Sequence, residues 1–134
     1  MHITLEADYA TRIVVYLAEI DKRADANTIS QATGVSLRFA LKILRNLVSF
    51  GIIKSFKGTQ GGYELNKPAS EITLKEVLEA IEGEYKFSRC LNSDANCTKP
   101  KTEQCEVQKV FCTITKKVQS MLNEVTVDTL ISHK

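Results

Sequence analysis

The segment between Gly34 and Gly51 constrains the fold more than any other part of this chain, because its helical pattern has two distinct sides. On a helical wheel of about 100° per residue with Arg38 at zero, Lys42 and Arg45 both fall within about 40° of it. The opposite side, between roughly 140° and 240°, is entirely apolar and consists of Ala40, Ile43, Leu44 and Leu47. This pattern predicts an α-helix with one face in a core and a basic face in solvent.

Charge is unevenly distributed along the chain. The total is close to neutral, with 18 Lys and Arg against 16 Asp and Glu. Residues 26–63 nevertheless contain five basic side chains and no acidic one, whereas residues 71–84 contain five glutamates and one lysine. A basic block without acids favours a polyanion partner such as DNA. The alternative is a solvated basic face with no ligand.

Three helices are predicted before any strand. Apolar residues recur at helical spacing from about Glu6 to Ile20, which predicts a first helix. Thr28 and Gln31 form a capping-box pattern, which predicts a short second helix that begins there. Ser36 can cap the third, amphipathic helix.

A hairpin and two further helices are expected after the basic helix. A glycine-rich loop separates two apolar segments within residues 52–65, which predicts a β-hairpin. Thr73 can cap a fourth helix that ends at Gly83. Residues 84–101 lack periodicity and are expected to form a loop, after which Thr102 can cap a long last helix with an apolar stripe. The stripe consists of Val107, Val110, Phe111, Ile114, Val118, Met121, Leu122 and Val125.

This order of elements is typical of a winged helix-turn-helix. The expected fold is therefore mainly α with a small β-hairpin wing, followed by a long C-terminal dimerisation helix. The expected domains are a DNA-binding unit at 1–83, a cysteine-bearing loop at 84–101, and a dimerisation helix with a tail at 102–134. The apolar stripe of the last helix exceeds what one small core would cover, which indicates a homodimer.

The predicted contacts to a double-stranded DNA operator lie on the third helix and in the wing. Basic side chains of the helix can reach guanine edges or phosphates, and the start of the helix can bind a phosphate. The tip of the wing can reach an adjacent minor groove. The candidate DNA-binding residues are Ser36, Arg38, Phe39, Lys42, Arg45, Lys57 and Gln60.

Four cysteines, spaced by six, seven and six residues, are the candidates for metal chemistry. These intervals differ from the paired two-residue spacing of zinc knuckles, so zinc is the second choice. Cys90, Cys97 and Cys105 lie in the predicted loop and at the predicted helix start, where thiolates can wrap an iron-sulfur cluster. Cys112 lies roughly 10.5 Å further along the helix and is expected to be a buried thiol.

Other classes of protein are disfavoured by what the sequence lacks. No apolar run approaches the roughly 18 residues of a membrane span, and the first eight residues do not resemble a signal peptide. A cytoplasmic protein without a membrane partner is expected, with its cysteines reduced. No nucleophile–base pair and no phosphate-binding glycine motif is evident, so an enzyme is not expected.

Three segments, 35–44, 57–63 and 72–83, resemble the IscR and NsrR family of bacterial winged-helix regulators that carry iron-sulfur clusters. The resemblance implies a dimer that places the third helix in the major groove and the wing in the minor groove. It also implies a transcriptional regulator, expected to be a repressor, whose operator affinity depends on a cluster sensing iron-sulfur status, redox state or nitric oxide.

The resemblance further implies a ligand set for a [4Fe-4S] or [2Fe-2S] cluster. Three ligands correspond to Cys90, Cys97 and Cys105. The fourth is a histidine in one branch of the family, where this chain has Gln108, and a partner-supplied aspartate in another, where it has Asp8. Cys112 is an additional possible ligand. The alternative function is a winged-helix adaptor or thiol-based redox sensor that uses the cysteines as a zinc or thiol-disulfide element.

Overall fold

The computed structural model describes residues 3–86 and 106–131. The described residues form five α-helices, one two-stranded antiparallel sheet and two 3-10 turns. In chain order the elements are α1 (Leu5–Ile20), α2 (Ala26–Thr33), α3 (Leu37–Ser49), β1 (Ile53–Phe56), β2 (Gly62–Leu65), η1 (Ala69–Glu71), α4 (Leu74–Glu82), α5 (Glu106–Glu124) and η2 (Val127–Leu130). The predicted fold class, mainly helical with a small hairpin wing, is confirmed.

The third and fourth helices begin where the sequence predicts. Ser36 caps α3 by accepting a hydrogen bond from the backbone N–H of Phe39. Thr73 caps α4 in the same way, through the backbone N–H of Glu76. Each hydroxyl satisfies one of the N–H groups that a helix leaves unpaired at its start. The sequence therefore sets where the amphipathic helix α3 begins.

The predicted start of α2 at Thr28 is wrong. The helix begins at Ala26, and Asp25 is its cap, because the Asp25 carboxylate accepts a hydrogen bond of 2.8 Å from the Thr28 backbone N–H. Thr28 therefore lies within the first turn, and the Thr28–Gln31 pattern is inside the helix. Aspartate is at least as good a cap as threonine, and the chain uses the earlier of the two candidates.

The Asp25 cap predicts a pH dependence of stability. The hydrogen bonds from the backbone N–H and then the hydroxyl of Thr28 lower the pKa of the Asp25 carboxyl. Because the pKa is lower in the folded state, this contribution is complete above the ordinary aspartate pKa and is lost as the pH falls through the folded value.

Asp25→Asn isolates this effect, since asparagine caps a helix but does not titrate. We expect the difference in unfolding free energy between the two proteins to be constant above about pH 5 and to change below about pH 4. Urea titrations at a series of pH values measure it. A difference that does not vary with pH would contradict the assignment.

The wing consists of β1 and β2 paired from Ile53–Leu65 to Phe56–Gly62. Ala24 lies alongside β2 as a short third segment, and it exchanges two backbone hydrogen bonds with Tyr63, of 3.0 and 2.8 Å. Gly62 makes this approach possible, because a side chain there would place its Cβ 2.6 Å from the carbonyl oxygen of Ala24. The wing is thus joined to the start of α2 as well as to α3.

A hydrophobic core joins the elements from α1 to α4. Its buried side chains come mainly from α1 and α3, with Ile52, Ile53, Ile72 and Val77 beside them. The segment after α5 also joins it: Val127 is buried, and its N–H donates to the carbonyl of Ile72 over 2.9 Å. The C-terminal end of α5 is therefore attached to the winged unit.

No helix within residues 3–86 and 106–131 is both long enough and apolar enough to cross a membrane.

Candidate nucleic-acid interface and cysteine region

The predicted division of α3 into two faces is confirmed. The four apolar residues of its inner side are completely buried. Arg38, Lys42 and Arg45 are all exposed on the outer side. The inner face packs in the core against α1, so the three charges of the outer face lie on a helix whose position is fixed by packing.

Two of the candidate DNA-binding residues at the start of α3 have structural partners. The Ser36 hydroxyl accepts the capping hydrogen bond and still has its own proton available to donate to another acceptor. The Phe39 ring meets the ring of Tyr9 edge-to-face, with centroids 5.7 Å apart. Phe39 therefore fixes the position of α3 on α1 while part of it remains exposed.

The basic charges differ in how far nearby acids neutralise them. Lys42 Nζ lies 3.7 Å from Glu6 Oε1, and Lys54 Nζ lies 3.6 Å from Glu64 Oε1. Both acids come from outside the acid-free block. Among the described residues, no carboxylate oxygen lies within 4.0 Å of Arg38 or Arg45. These two arginines therefore carry the least compensated charge on α3.

Both candidate residues at the wing tip, Lys57 and Gln60, are exposed. The tip is closed by a hydrogen bond from the Gly61 N–H to the Gly58 carbonyl. Sequence reasoning missed Arg23, whose Nη1 donates to the Gln60 carbonyl over 3.0 Å. Arg23 lies in a polar connector without periodicity, and no pattern in the sequence marks it.

Asp8, the candidate fourth ligand, lies half-exposed on α1 and pairs with Arg12, with 3.2 Å between Oδ2 and Nη2. Nη1 of the same guanidinium donates to the Thr33 carbonyl at the end of α2. Its Cζ lies 5.2 Å from the centroid of the Tyr9 ring, which itself contacts Phe39. Arg12, which sequence reasoning also missed, thus links Asp8 to the helix-turn-helix.

The main candidate cluster ligands, Cys90, Cys97 and Cys105, lie outside the described residues, as does the predicted cap Thr102. Cys112 is a free, half-buried thiol on α5. In the described part of the chain, no group of three or more His, Cys, Asp or Glu side chains is placed to hold a metal. The Asp8 carboxylate, in the described part of the chain, remains accessible from solvent.

Residues 3–133 match the family Rrf2, described as "Iron-dependent Transcriptional regulator". The protein aau3 of Rhizobium meliloti (strain 1021) is 30% identical over 133 residues, which are 98% of this chain and 85% of that protein. A Mycobacterium tuberculosis (strain CDC 1551 / Oshkosh) protein named as a candidate HTH-type transcriptional regulator, MT1325, is 35% identical over 62% of this chain and 53% of its own.

Solved structures show the same fold. IscR of T. potens has a TM-score of 0.76 and 18% identity, covering 97% of this chain and 85% of that one. CymR of B. subtilis, named as the global cysteine regulator, has a TM-score of 0.79 and 20% identity, covering 100% and 98%. The family consists of transcriptional regulators, so the chain is a regulator and not an enzyme. Since the match spans nearly its whole length, the chain belongs to the Rrf2 family of transcriptional regulators.

Proposed function

We propose that this regulator binds its operator as a homodimer, and that an iron-sulfur cluster controls its affinity for that operator. The observation that supports DNA binding is the outer face of α3: Arg38 and Arg45 are exposed there, with no carboxylate within 4.0 Å among residues 3–86 and 106–131, while the other face of the helix is fully buried. A rigid basic helix of this kind fits the major groove of DNA.

The two basic sites are proposed to do different work. Arg38 lies in the first turn of α3, the part of a recognition helix that normally reads base edges. Lys57 lies at the tip of the wing, where a flexible ammonium group suits a phosphate. Sequence choice therefore comes chiefly from α3, and part of the general affinity comes from the wing.

Replacement of each residue tests this division on a site selected from a random DNA pool, which we expect to contain two half-sites about one helical turn apart. Arg38→Ala is expected to cost roughly 1 to 3 kcal/mol of binding free energy and to weaken the base preference at one position of the DNA site. Lys57→Ala is expected to weaken binding to all sequences. It should also reduce the salt slope, the slope of log affinity against log salt concentration, by about one unit.

Lys116→Ala, which removes an exposed charge on α5, is the matched control and should leave both quantities unchanged. The proposal would be contradicted if both single variants, Arg38→Ala and Lys57→Ala, bound DNA as the unmodified protein does. Selection from the random pool that enriches no DNA site would also contradict it.

The homodimer is proposed to form through the apolar edge of α5. Val107, Val110 and Met121 are 50%, 56% and 66% exposed, although they belong to the predicted stripe. The neighbouring side of the helix faces the winged unit, where Thr115 is buried and Gln119 donates to the Tyr85 carbonyl. An apolar edge beside a packed side is what a second copy of the same helix would cover.

The cluster is proposed to be held by Cys90, Cys97 and Cys105, with Asp8 of the partner subunit as the fourth ligand. Thiolates are the ligands that iron-sulfur clusters prefer, and the family description names iron dependence. When bound, such a cluster would supply a group sensitive to iron-sulfur status, redox state or nitric oxide. Gln108 and Cys112, both on α5, are the other candidates for the fourth position.

The contacts of Arg12 supply a route from the ligand position to DNA. Asp8 can serve as a ligand only by giving up or sharing its pairing with Arg12. Arg12 also holds the Thr33 carbonyl, so a change in its pairing acts directly on the end of α2 and the turn that leads into α3. A differential effect on DNA affinity of about 1 to 3 kcal/mol is typical of such coupling.

A further inference from the structure

We propose that Arg23 is the positioning residue of the wing: it holds the wing tip in its DNA-binding position without contacting DNA itself. The inference rests on the proposed role of the wing in DNA binding. Its basis is that one guanidinium group meets β1, β2 and the tip between them at the same time.

Three contacts attach Arg23 to the wing. Its Cζ lies 3.3 Å from the centroid of the Phe56 ring at the end of β1. Its Nη1 donates to the Gln60 carbonyl in the tip over 3.0 Å, and its Nε lies 3.8 Å from Glu64 Oε2 on β2. A planar guanidinium can stack on a ring and donate from its edge in the same pose, which the ammonium of lysine cannot do.

The wing needs such an attachment. Its two strands have four residues each, and an isolated two-stranded hairpin is at most marginally stable in water. The backbone pairing of Ala24 with Tyr63 holds β2 at the Ser55–Tyr63 pair, one pair from the end of the strands, and does not extend into the tip at residues 57–61. Arg23 is the side chain that extends this attachment outward to Gln60, beside the proposed phosphate contact Lys57.

The charge of Arg23 is already engaged. Glu64 lies next to both Arg23 and Lys54, and the Phe56 ring lies under the guanidinium. A side chain used in this way is committed to the protein, so its loss should act through the wing rather than through a phosphate. Arg23 is also exposed, with 35% of its side chain accessible, so its contacts with Phe56, Gln60 and Glu64, not its burial, distinguish it from Lys57 and Arg38.

The test uses Arg23→Lys, which keeps the charge and removes the planar group. We expect it to weaken operator binding about fivefold, in line with the loss of one hydrogen bond, without changing the salt slope. Amide hydrogen exchange at Gly61, whose N–H closes the tip, should become faster while the thermal midpoint of the whole protein stays the same. Lys22→Arg, a conservative change at the adjacent exposed position, is the matched control and should have no effect.

Double variants separate positioning from direct contact. The effects of Arg23→Lys and Lys57→Ala should be less than additive, because both act through the wing, whereas those of Arg23→Lys and Arg38→Ala should add. Wild-type affinity in Arg23→Lys, or full additivity with Lys57→Ala, would overturn the role of Arg23 alone. Failure of the unmodified protein to bind any DNA would instead overturn the proposed function.

Discussion

Val110→Asp is expected to convert the homodimer into monomers. Val110 is more than half exposed on α5, so the substitution should leave the fold of each subunit intact. In the proposed dimer the substitution would place one carboxylate from each subunit in the apolar interface, where an unpaired charge loses its hydration. We expect the dissociation constant of the dimer to rise by at least about 100-fold.

Sedimentation equilibrium at micromolar concentration measures this effect. Ser120→Asp introduces the same charge at an exposed position on the polar side of α5 and should remain dimeric. Because a dimer reads two half-sites at once, Val110→Asp should also weaken operator binding by about 100-fold. A variant that sediments as a dimer would show that α5 is not the interface.

Cys97→Ala is expected to remove nearly all cluster-bound iron and acid-labile sulfide from an anaerobic preparation. One of three thiolates is lost from the proposed ligand set, and alanine cannot replace it. Chemical assay of iron and sulfide, together with the visible absorption spectrum, measures the loss.

Cys112→Ala is the control for the cysteines. Cys112 is a half-buried thiol outside the preferred ligand set of Cys90, Cys97, Cys105 and Asp8, so this variant should keep its iron and sulfide. Equal loss in both variants would make Cys112 a ligand. A colourless wild-type protein that contains zinc would contradict the cluster and support the alternative, in which the cysteines form a zinc or thiol-disulfide element.

Local patterns were sufficient to predict most of the winged unit. The faces of α3 follow from helical periodicity, and the starts of α3 and α4 follow from Ser36 and Thr73, because a cap acts within three residues of itself. The error at α2 has the same local origin: Asp25 and Thr28 can both cap a helix, and the capping-box pattern of Thr28 and Gln31 favours the later start although aspartate is the better cap. The hairpin was likewise predicted from glycines close to one another in the chain.

Features that depend on distant parts of the chain were not predicted. Arg23 reaches Gln60 across 37 positions, and Arg12 reaches Thr33 across 21, through long side chains that leave no periodic signal. After α5 the chain returns to Ile72 through the hydrogen bond from Val127. This contact involves a short 3-10 turn and one isolated β-bridge, and neither has a clear sequence pattern. Such contacts are decided by the packed fold.

If the cluster state sets operator affinity, the cluster-containing and cluster-free forms of the protein must bind the same operator with different affinities. The operator is titrated under anaerobic conditions with the cluster-containing protein and with the same protein after removal of its cluster, at one fixed salt concentration. We predict affinities that differ by roughly 5- to 150-fold, the range of typical coupling free energies. Equal affinities for the two forms at every operator tried would show that the cluster does not control DNA binding.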